Sequence, residues 1–159
     1  MRGARVFFQL AIIFSACAGI SACTPGAATN PTGSNAQVNG AIVVHVSLLK
    51  YGSVSSPYGT LGGFSPNPLT VTHGSVVQFV NDDNFAHTAS SVGTSGFANG
   101  PLASSTQNVS GSDLATANWS SGVLQGAAFS QALIASTPGT YYYQCFFHYA
   151  QMHGVIIVQ

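Results

Sequence analysis

The sequence predicts an all-β domain, built as an antiparallel sandwich or barrel. Short apolar runs alternate as strands do, and glycine or proline occupies the gaps between them. No window shows a convincing amphipathic helix, although SDLATANW is long enough for one or two turns. Because 46% of the 159 residues are hydrophobic, the chain can bury the core of one such domain.

The predicted strands begin at about Gly40 and follow one another to the end of the sequence. In AIVVHVSLL, one face carries the apolar side chains of Ile42, Val44, Val46 and Leu48. LTVTHGSVVQFVN gives two short runs that break at His73 and Gly74, and TYYYQC and GVIIVQ are the last two strands. The polar stretch from Ser90 to Ser121 predicts irregular strands and a long surface loop. His45 should point outward and His73 lies in a turn, so we interpret both as structural.

The N-terminus has the pattern of a secretory signal. Two arginines precede an apolar run over residues 6–14, which is too short to span a membrane comfortably. The motif ISAC, ending at Cys23, resembles the lipobox of bacterial lipoproteins, in which the cysteine becomes the lipid-modified first residue; an ordinary signal cleaved nearby is the alternative. We therefore expect a signal peptide over 1–22, a lipidated Cys23, a flexible tether over 23–39 and a folded domain over 40–159. Such a protein would be exported to the periplasm or cell surface and anchored to a membrane by lipid.

Charged side chains are rare in the predicted domain. Apart from the two signal arginines, the chain has Lys50 and the three aspartates Asp82, Asp83 and Asp113. A surface so poor in lysine and arginine cannot neutralise a phosphate backbone, so nucleic acid is excluded as a partner. Asp82 and Asp83 are adjacent, so in an extended segment they should point to opposite sides. We expect the domain to be a monomer.

One thiol stands apart from the other cysteines. Cys17 would leave with the signal and Cys23 would be acylated, so Cys145 would be the one free thiol of the exported protein. This arithmetic excludes a disulfide framework. An unpaired thiol in an oxidising compartment needs burial or a ligand, which favours a role for Cys145.

The loop CFFHYAQMHG places Cys145, His148 and Met152 close together in the sequence. A tight turn can direct a thiolate, an imidazole and a thioether toward one point. This set favours copper over structural zinc, which more often takes two or more thiolates. His87, which follows the strand SVVQFVN, is the natural second imidazole. The alternative is that these residue types simply pack at the edge of the core.

Three segments resemble the cupredoxins, the blue copper protein family that includes plastocyanin, pseudoazurin and amicyanin. They are FSPNPLTVTHGSVVQFVNDDNFAHTA, WSSGVLQGAAFS and PGTYYYQCFFHYAQMHGVIIV, within residues 64–158. The resemblance implies a Greek-key β-sandwich of about eight strands, with one copper ion that cycles between Cu(I) and Cu(II). It implies His87, Cys145 and His148 as equatorial ligands and Met152 as a weak axial ligand.

The axial position has two competitors on either side of Met152. Gln151 could supply an amide oxygen and His153 could supply an imidazole. Met152 is favoured because MHGVIIV fits the family pattern of methionine, any residue, glycine and an apolar strand. Phe147 stands where many relatives have proline, a departure that removes no ligand.

The resemblance also implies a one-electron carrier rather than an enzyme. Its partners would be redox proteins such as a cytochrome or an oxidase. The residues around His148 would form an apolar docking and electron-exit surface; they are Phe146, Phe147, Tyr149 and Ala150. A copper-delivery protein with the same ligands is the alternative, whereas a copper enzyme would need further ligands and a longer chain.

Overall fold

Short strands make up most of the regular structure. The computed structural model describes residues 32–33 and 35–159, and these residues contain fourteen strands and one 3-10 helix, η1. In chain order they are β1 Thr32–Gly33, β2 Ile42–Val46, β3 Val54–Ser56, β4 Gly59–Leu61, β5 Phe64–Ser65, β6 Leu69–Val71, β7 Val76–Asn81, β8 Ser90–Gly93, η1 Ser104–Gln107, β9 Val109–Ser110, β10 Ser120–Ser121, β11 Val123–Leu124, β12 Leu133–Ile134, β13 Gly139–Gln144 and β14 His153–Val158.

Two sheets form a sandwich, which confirms the predicted fold class. The larger sheet has the order β6-β14-β13-β8-β10-β9, and the smaller sheet has the order β12-β7-β2-β5. Most neighbours are antiparallel, but β6 pairs with β14 and β2 pairs with β7 in parallel. A parallel neighbour requires a crossover connection, so the chain passes between the layers rather than running as a simple meander.

The strands predicted from alternation are present at the predicted places. In β2, Val44 and Val46 are buried and His45 between them is exposed, as the period of two requires. The sequence LTVTHGSVVQFVN divides into β6 and β7 at the turn containing Gly74, whose φ is +84°. From Ser90 to Ser121 the chain forms β8, η1, β9 and β10, while SDLATANW is folded into turns. The additional strands, beyond the eight expected, are mostly pairings of two or three residues.

The core lies between the two sheets and is rich in aromatic rings. Both sheets contribute buried apolar side chains to one cluster, including Val44 and Phe79 from the smaller sheet and Ile156 from the larger. The Tyr143 ring lies at its centre, with ring centroids 4.7 Å from Phe64, 5.2 Å from Phe79 and 6.0 Å from Trp119. Such edge-to-face pairs add to the free energy of burial. The cluster therefore gives a rigid base to the end of β13.

Part of the predicted tether contacts the sandwich. The Val38 N–H donates to Gln78 Oε1 at 2.7 Å, and Gln78 Nε2 donates to the Ala36 carbonyl at 3.2 Å. β1 pairs in parallel with β11. The predicted signal peptide and Cys23 lie outside the described residues. Within the described residues, no helix has both the length and the apolar character needed to span a bilayer.

Candidate metal centre

The loop between β13 and β14 is closed by its own backbone. The Cys145 N–H donates to the Met152 carbonyl at 3.1 Å, directly beyond the last paired residues of the two strands. Within the loop, the N–H groups of Gln151 and Met152 both donate to the His148 carbonyl at 2.9 Å. The loop is therefore a compact turn that directs Cys145 and His148 to the same side.

The segment that follows β7 places His87 next to this loop. Asn81, the last residue of β7, donates from Nδ2 to the carbonyls of Phe85 at 2.7 Å and Leu124 at 2.8 Å. His87 and Leu124 exchange backbone hydrogen bonds of 3.1 and 2.8 Å. Because these bonds are buried or partly buried, they hold the backbone of His87 in place.

Three of the four predicted ligands converge on one point. Cys145 Sγ lies 3.8 Å from His87 Nδ1 and 3.6 Å from His148 Nδ1, and the three possible ligand atoms lie within 4.8 Å of one another. A metal ion binds nitrogen at about 2.1 Å and sulfur at about 2.3 Å. If the nitrogen–metal–sulfur angle is about 110–120°, the nitrogen and sulfur atoms lie about 3.6–3.8 Å apart. The spacing therefore fits a metal ion at the centre. Cys145 and His87 are fully buried, and His148 is partly exposed.

Met152 is fully buried beside this group, and its competitors are directed elsewhere. A Cβ on Gly63 would lie 2.7 Å from Met152 Cε and 2.8 Å from its Cβ, so only glycine leaves room for this side chain. Gln151 is exposed. His153 stacks on Phe97 with ring centroids 4.5 Å apart, and its Nδ1 lies 3.1 Å from the Thr60 carbonyl.

Thr88 supports the thiol and the loop together. Its N–H donates to Cys145 Sγ at 3.4 Å, and its Oγ1 accepts the N–H of Phe146 at 2.8 Å. Burial raises the pKa of the Cys145 thiol, while backbone donors, that of Thr88 first, oppose the increase. The N–H donors favour the thiolate, which is the form that binds a metal.

Burial disfavours the protonated form of both imidazoles. Burial lowers the pKa of His87, and the carboxylate of Asp83 opposes part of that change. Burial also lowers the pKa of His148, with a further contribution from His87. Since a metal binds the unprotonated nitrogen, both changes favour metal binding near neutral pH.

Asp83 is a part of the site that sequence reasoning missed. Its Oδ2 lies 2.9 Å from His87 Nε2, and both side chains are buried. Burial tends to raise the pKa of Asp83, but hydrogen bonds, from Ser47 and His87 foremost, outweigh burial and lower it. Asp82 faces the other way, toward Lys50 and His45, so the predicted opposite orientations are confirmed. The signal that could have revealed Asp83 is its spacing of four residues from His87.

The surface over the site is aromatic. Phe147 is 40% exposed, Phe146 and Tyr149 are partly buried and Ala150 is exposed. Phe85, which was not predicted, packs against both imidazoles, with ring centroids 4.8 Å from His87 and 5.7 Å from His148. His148 therefore reaches the surface among apolar side chains.

Comparisons with known proteins give a family match and a shared fold. A model of the plastocyanin/azurin family of copper binding proteins matches residues 53–159. A reduced tryptophan-to-tyrosine variant of amicyanin shares 18% identity and a TM-score of 0.53, over 82% of this chain and 95% of that one. An oxidised proline-to-alanine variant of amicyanin shares 21% identity and a TM-score of 0.51, over 81% and 95%. At these identities the likeness shows a common fold. No curated protein sequence matches significantly.

Proposed function

Because the chain belongs to the plastocyanin/azurin family of copper-binding proteins, we propose that it carries single electrons between redox proteins, with His87, Cys145 and His148 as its equatorial copper ligands. The observation that carries this proposal is that Nδ1 of His87 and Nδ1 of His148 lie 3.8 and 3.6 Å from Cys145 Sγ. Met152, buried beside them, is the proposed axial ligand. When bound, copper would supply the Cu(II)/Cu(I) couple.

The protein's own residues prepare the site for electron transfer. A thiolate and two imidazoles, with a thioether at longer range, suit neither copper oxidation state ideally, so little rearrangement accompanies the change of charge. Cys145 and His87 are buried, which excludes water from most of the site. His148 is partly exposed and provides the shortest path from the ligand set to the surface.

The docking surface that we propose consists of Phe146, Phe147, Tyr149 and Ala150 around His148. Its apolar character suits a weak contact that releases its partner quickly. Because few charges are present, electron exchange should depend only weakly on ionic strength. We also propose that the domain is exported and tethered to a membrane through a lipidated Cys23, as the lipobox-like motif suggests.

The first test is the spectrum of the protein loaded with Cu(II). The wild type should bind one equivalent and show the intense visible charge-transfer band of a thiolate–Cu(II) bond. Cys145→Ser should abolish this band, and His148→Ala, which keeps the thiolate but removes one imidazole, should change its position or intensity. His73→Ala is the matched control, because His73 is exposed in the turn before β7, and it should leave the band unchanged. If Cys145→Ser retained the band, the proposed site would be wrong.

The second test addresses the exit surface by stopped-flow oxidation of the reduced protein. Phe147→Asp places a charge beside His148 and should slow electron exchange with a redox partner severalfold without changing the copper spectrum. Val109→Asp is the control, because Val109 is exposed to a similar extent, 42% against 40% for Phe147, but lies on β9. Equal rates in the two variants would mean that the electron leaves by another face.

A further inference from the structure

We propose that Asp83 is a positioning residue, which fixes the orientation of the His87 imidazole and makes that ring a stronger donor to the oxidised metal ion. The proposal rests on the site proposed above and extends it to a carboxylate that holds no metal. It predicts that the charge of Asp83 lowers the reduction potential of the bound copper.

The carboxylate of Asp83 is buried and receives hydrogen bonds at both oxygens. Oδ1 accepts the hydroxyl of Ser47 at 2.6 Å, and Oδ2 accepts the N–H of Leu48 at 2.8 Å. His87 Nε2 lies 2.9 Å from the same Oδ2. Asp83 is 5% exposed and His87 is fully buried, so water does not compete strongly for these bonds.

This arrangement determines which nitrogen of His87 carries the proton. An ionised carboxylate only accepts hydrogen bonds, so Nε2 must be the protonated nitrogen of the neutral ring. Nδ1 then keeps its lone pair, and Nδ1 is the atom that lies 3.8 Å from Cys145 Sγ. The hydrogen bond to Asp83 thus presents the metal-binding nitrogen to the site before any metal is bound.

The same bond also changes how well the ring stabilises positive charge. A carboxylate that accepts the ring N–H increases the basicity of the opposite nitrogen. A more basic ligand favours Cu(II) over Cu(I), because the oxidised ion carries more positive charge. Among the described residues, His148 has no carboxylate partner, so the effect is specific to His87.

The experiment compares two neighbouring carboxylates. Asp83→Asn removes the charge, and its amide can still accept from His87 and Leu48 while donating to Ser47. Asp82→Asn removes the same formal charge from the adjacent position, where the carboxylate contacts Lys50 and His45 instead. Reduction potentials are measured by protein-film voltammetry of each copper-loaded variant, and retention of the visible band shows that copper is still bound.

Asp83→Asn should lower the preference for Cu(II) over Cu(I) about tenfold, an effect of the size usual for residues that hydrogen-bond to metal ligands. For a one-electron couple, a tenfold change corresponds to a rise of about 59 mV in the reduction potential. Asp82→Asn should change that preference less than about twofold, because its partly exposed charge contacts no copper ligand and is already paired with Lys50. Equal shifts in the two variants, or no shift in either, would overturn the proposal. Ser47→Ala provides a second variant if Asp83→Asn does not fold. Loss of the Ser47 donor leaves the carboxylate a stronger acceptor for His87, so the potential should fall, and a rise would count against the proposal.

A measurement on the metal-free protein separates this proposal from the proposed function. The ring nitrogen chemical shifts of His87 in the wild-type apoprotein should show the proton on Nε2 and an unprotonated Nδ1. A proton on Nδ1 would overturn the role of Asp83 whether or not the protein binds copper. Failure of the wild type to bind copper would instead overturn the proposed function.

Discussion

Gly154→Ala should destabilise the protein strongly, because Tyr143 occupies the space that a methyl group would need. Gly154 and Tyr143 are cross-strand partners in β14 and β13. A Cβ on Gly154 would overlap Cζ, Cε2 and Oη of the Tyr143 ring. The ring cannot move aside easily, since Phe64 and Phe79 pack against it with ring centroids at 4.7 and 5.2 Å.

The expected magnitude follows from this lack of free space. Overpacking a core costs about 1–3 kcal/mol, and an overlap with a ring confined on several sides belongs at the upper end, about 3 kcal/mol. For a domain of this size, at about 4 °C per kcal/mol, Tm should fall by about 12 °C. Gly52→Ala is the matched control, because a Cβ at Gly52 has no atom within 4 Å and its φ is not positive. It should change stability by less than about 1 kcal/mol.

Urea unfolding of the apoprotein measures both changes and can test their cause. Tyr143→Leu removes the ring, so the Gly154→Ala change should cost at least 1 kcal/mol less in a Tyr143→Leu background, a coupling of the usual size for contacting residues. Additive effects in the double variant would refute the reasoning. So would a Gly154→Ala variant as stable as Gly52→Ala.

Three further predictions concern the axial ligand, alkaline stability and the N-terminus. Met152→Leu conserves volume and should retain copper while raising the reduction potential; an unchanged potential and spectrum would direct attention to Gln151 or His153. Burial raises the pKa of Tyr51 and Tyr141, so folded-state values lie above the unfolded value of about 10, and the free energy of unfolding should fall as pH rises beyond about 10. Denaturant titrations from pH 8 to 11 measure this slope, and Tyr141→Phe should reduce it; an unchanged slope would contradict the assignment. Mass spectrometry of the native protein should find a lipidated Cys23 as the first residue, and an unmodified N-terminus elsewhere would count against the lipobox.

Among the longer strands, β2 could be predicted because it has one clear inner face, whereas β7 is buried along most of its length and was predicted from its apolar run. In β2 the alternation of Val44, His45 and Val46 gave both the strand and its orientation, and the structure confirms them. The positions of the two-residue strands β9, β10 and β11 escaped prediction, because such strands have no length over which a period can be read. For residues 90–121 the sequence predicted irregular strands but not their bounds. β10 is formed by Ser120 and Ser121, two buried serines whose hydroxyls form hydrogen bonds with other polar groups. Neither serine contributes an apolar side chain to the core. Their pairing depends on contacts that are distant in sequence.

At the site, the ligands could be predicted from the sequence, but the residues that hold the ligands in place could not. Cys145, His148 and Met152 share one loop, so their spacing is informative, and the structure brings Cys145 and His148 together with His87. Cys145 is fully buried, as expected of an unpaired thiol that needs burial or a ligand. Gly63 was missed because its contact with Met152 joins residues 89 positions apart, which no local pattern encodes.

The two imidazoles of the site differ in how they are held, and this difference separates two properties of the protein. His87 is fully buried, and its backbone and ring are bound through Leu124 and Asp83, so its geometry belongs to the rigid core. His148 lies in a loop, partly exposed, and its neighbours are surface aromatics. Substitutions on the β7 side should therefore act mainly on the oxidation state that the site prefers. Substitutions in the loop beside His148 should act mainly on how fast an electron reaches a partner, because they alter the contact surface while the buried ligands keep their positions.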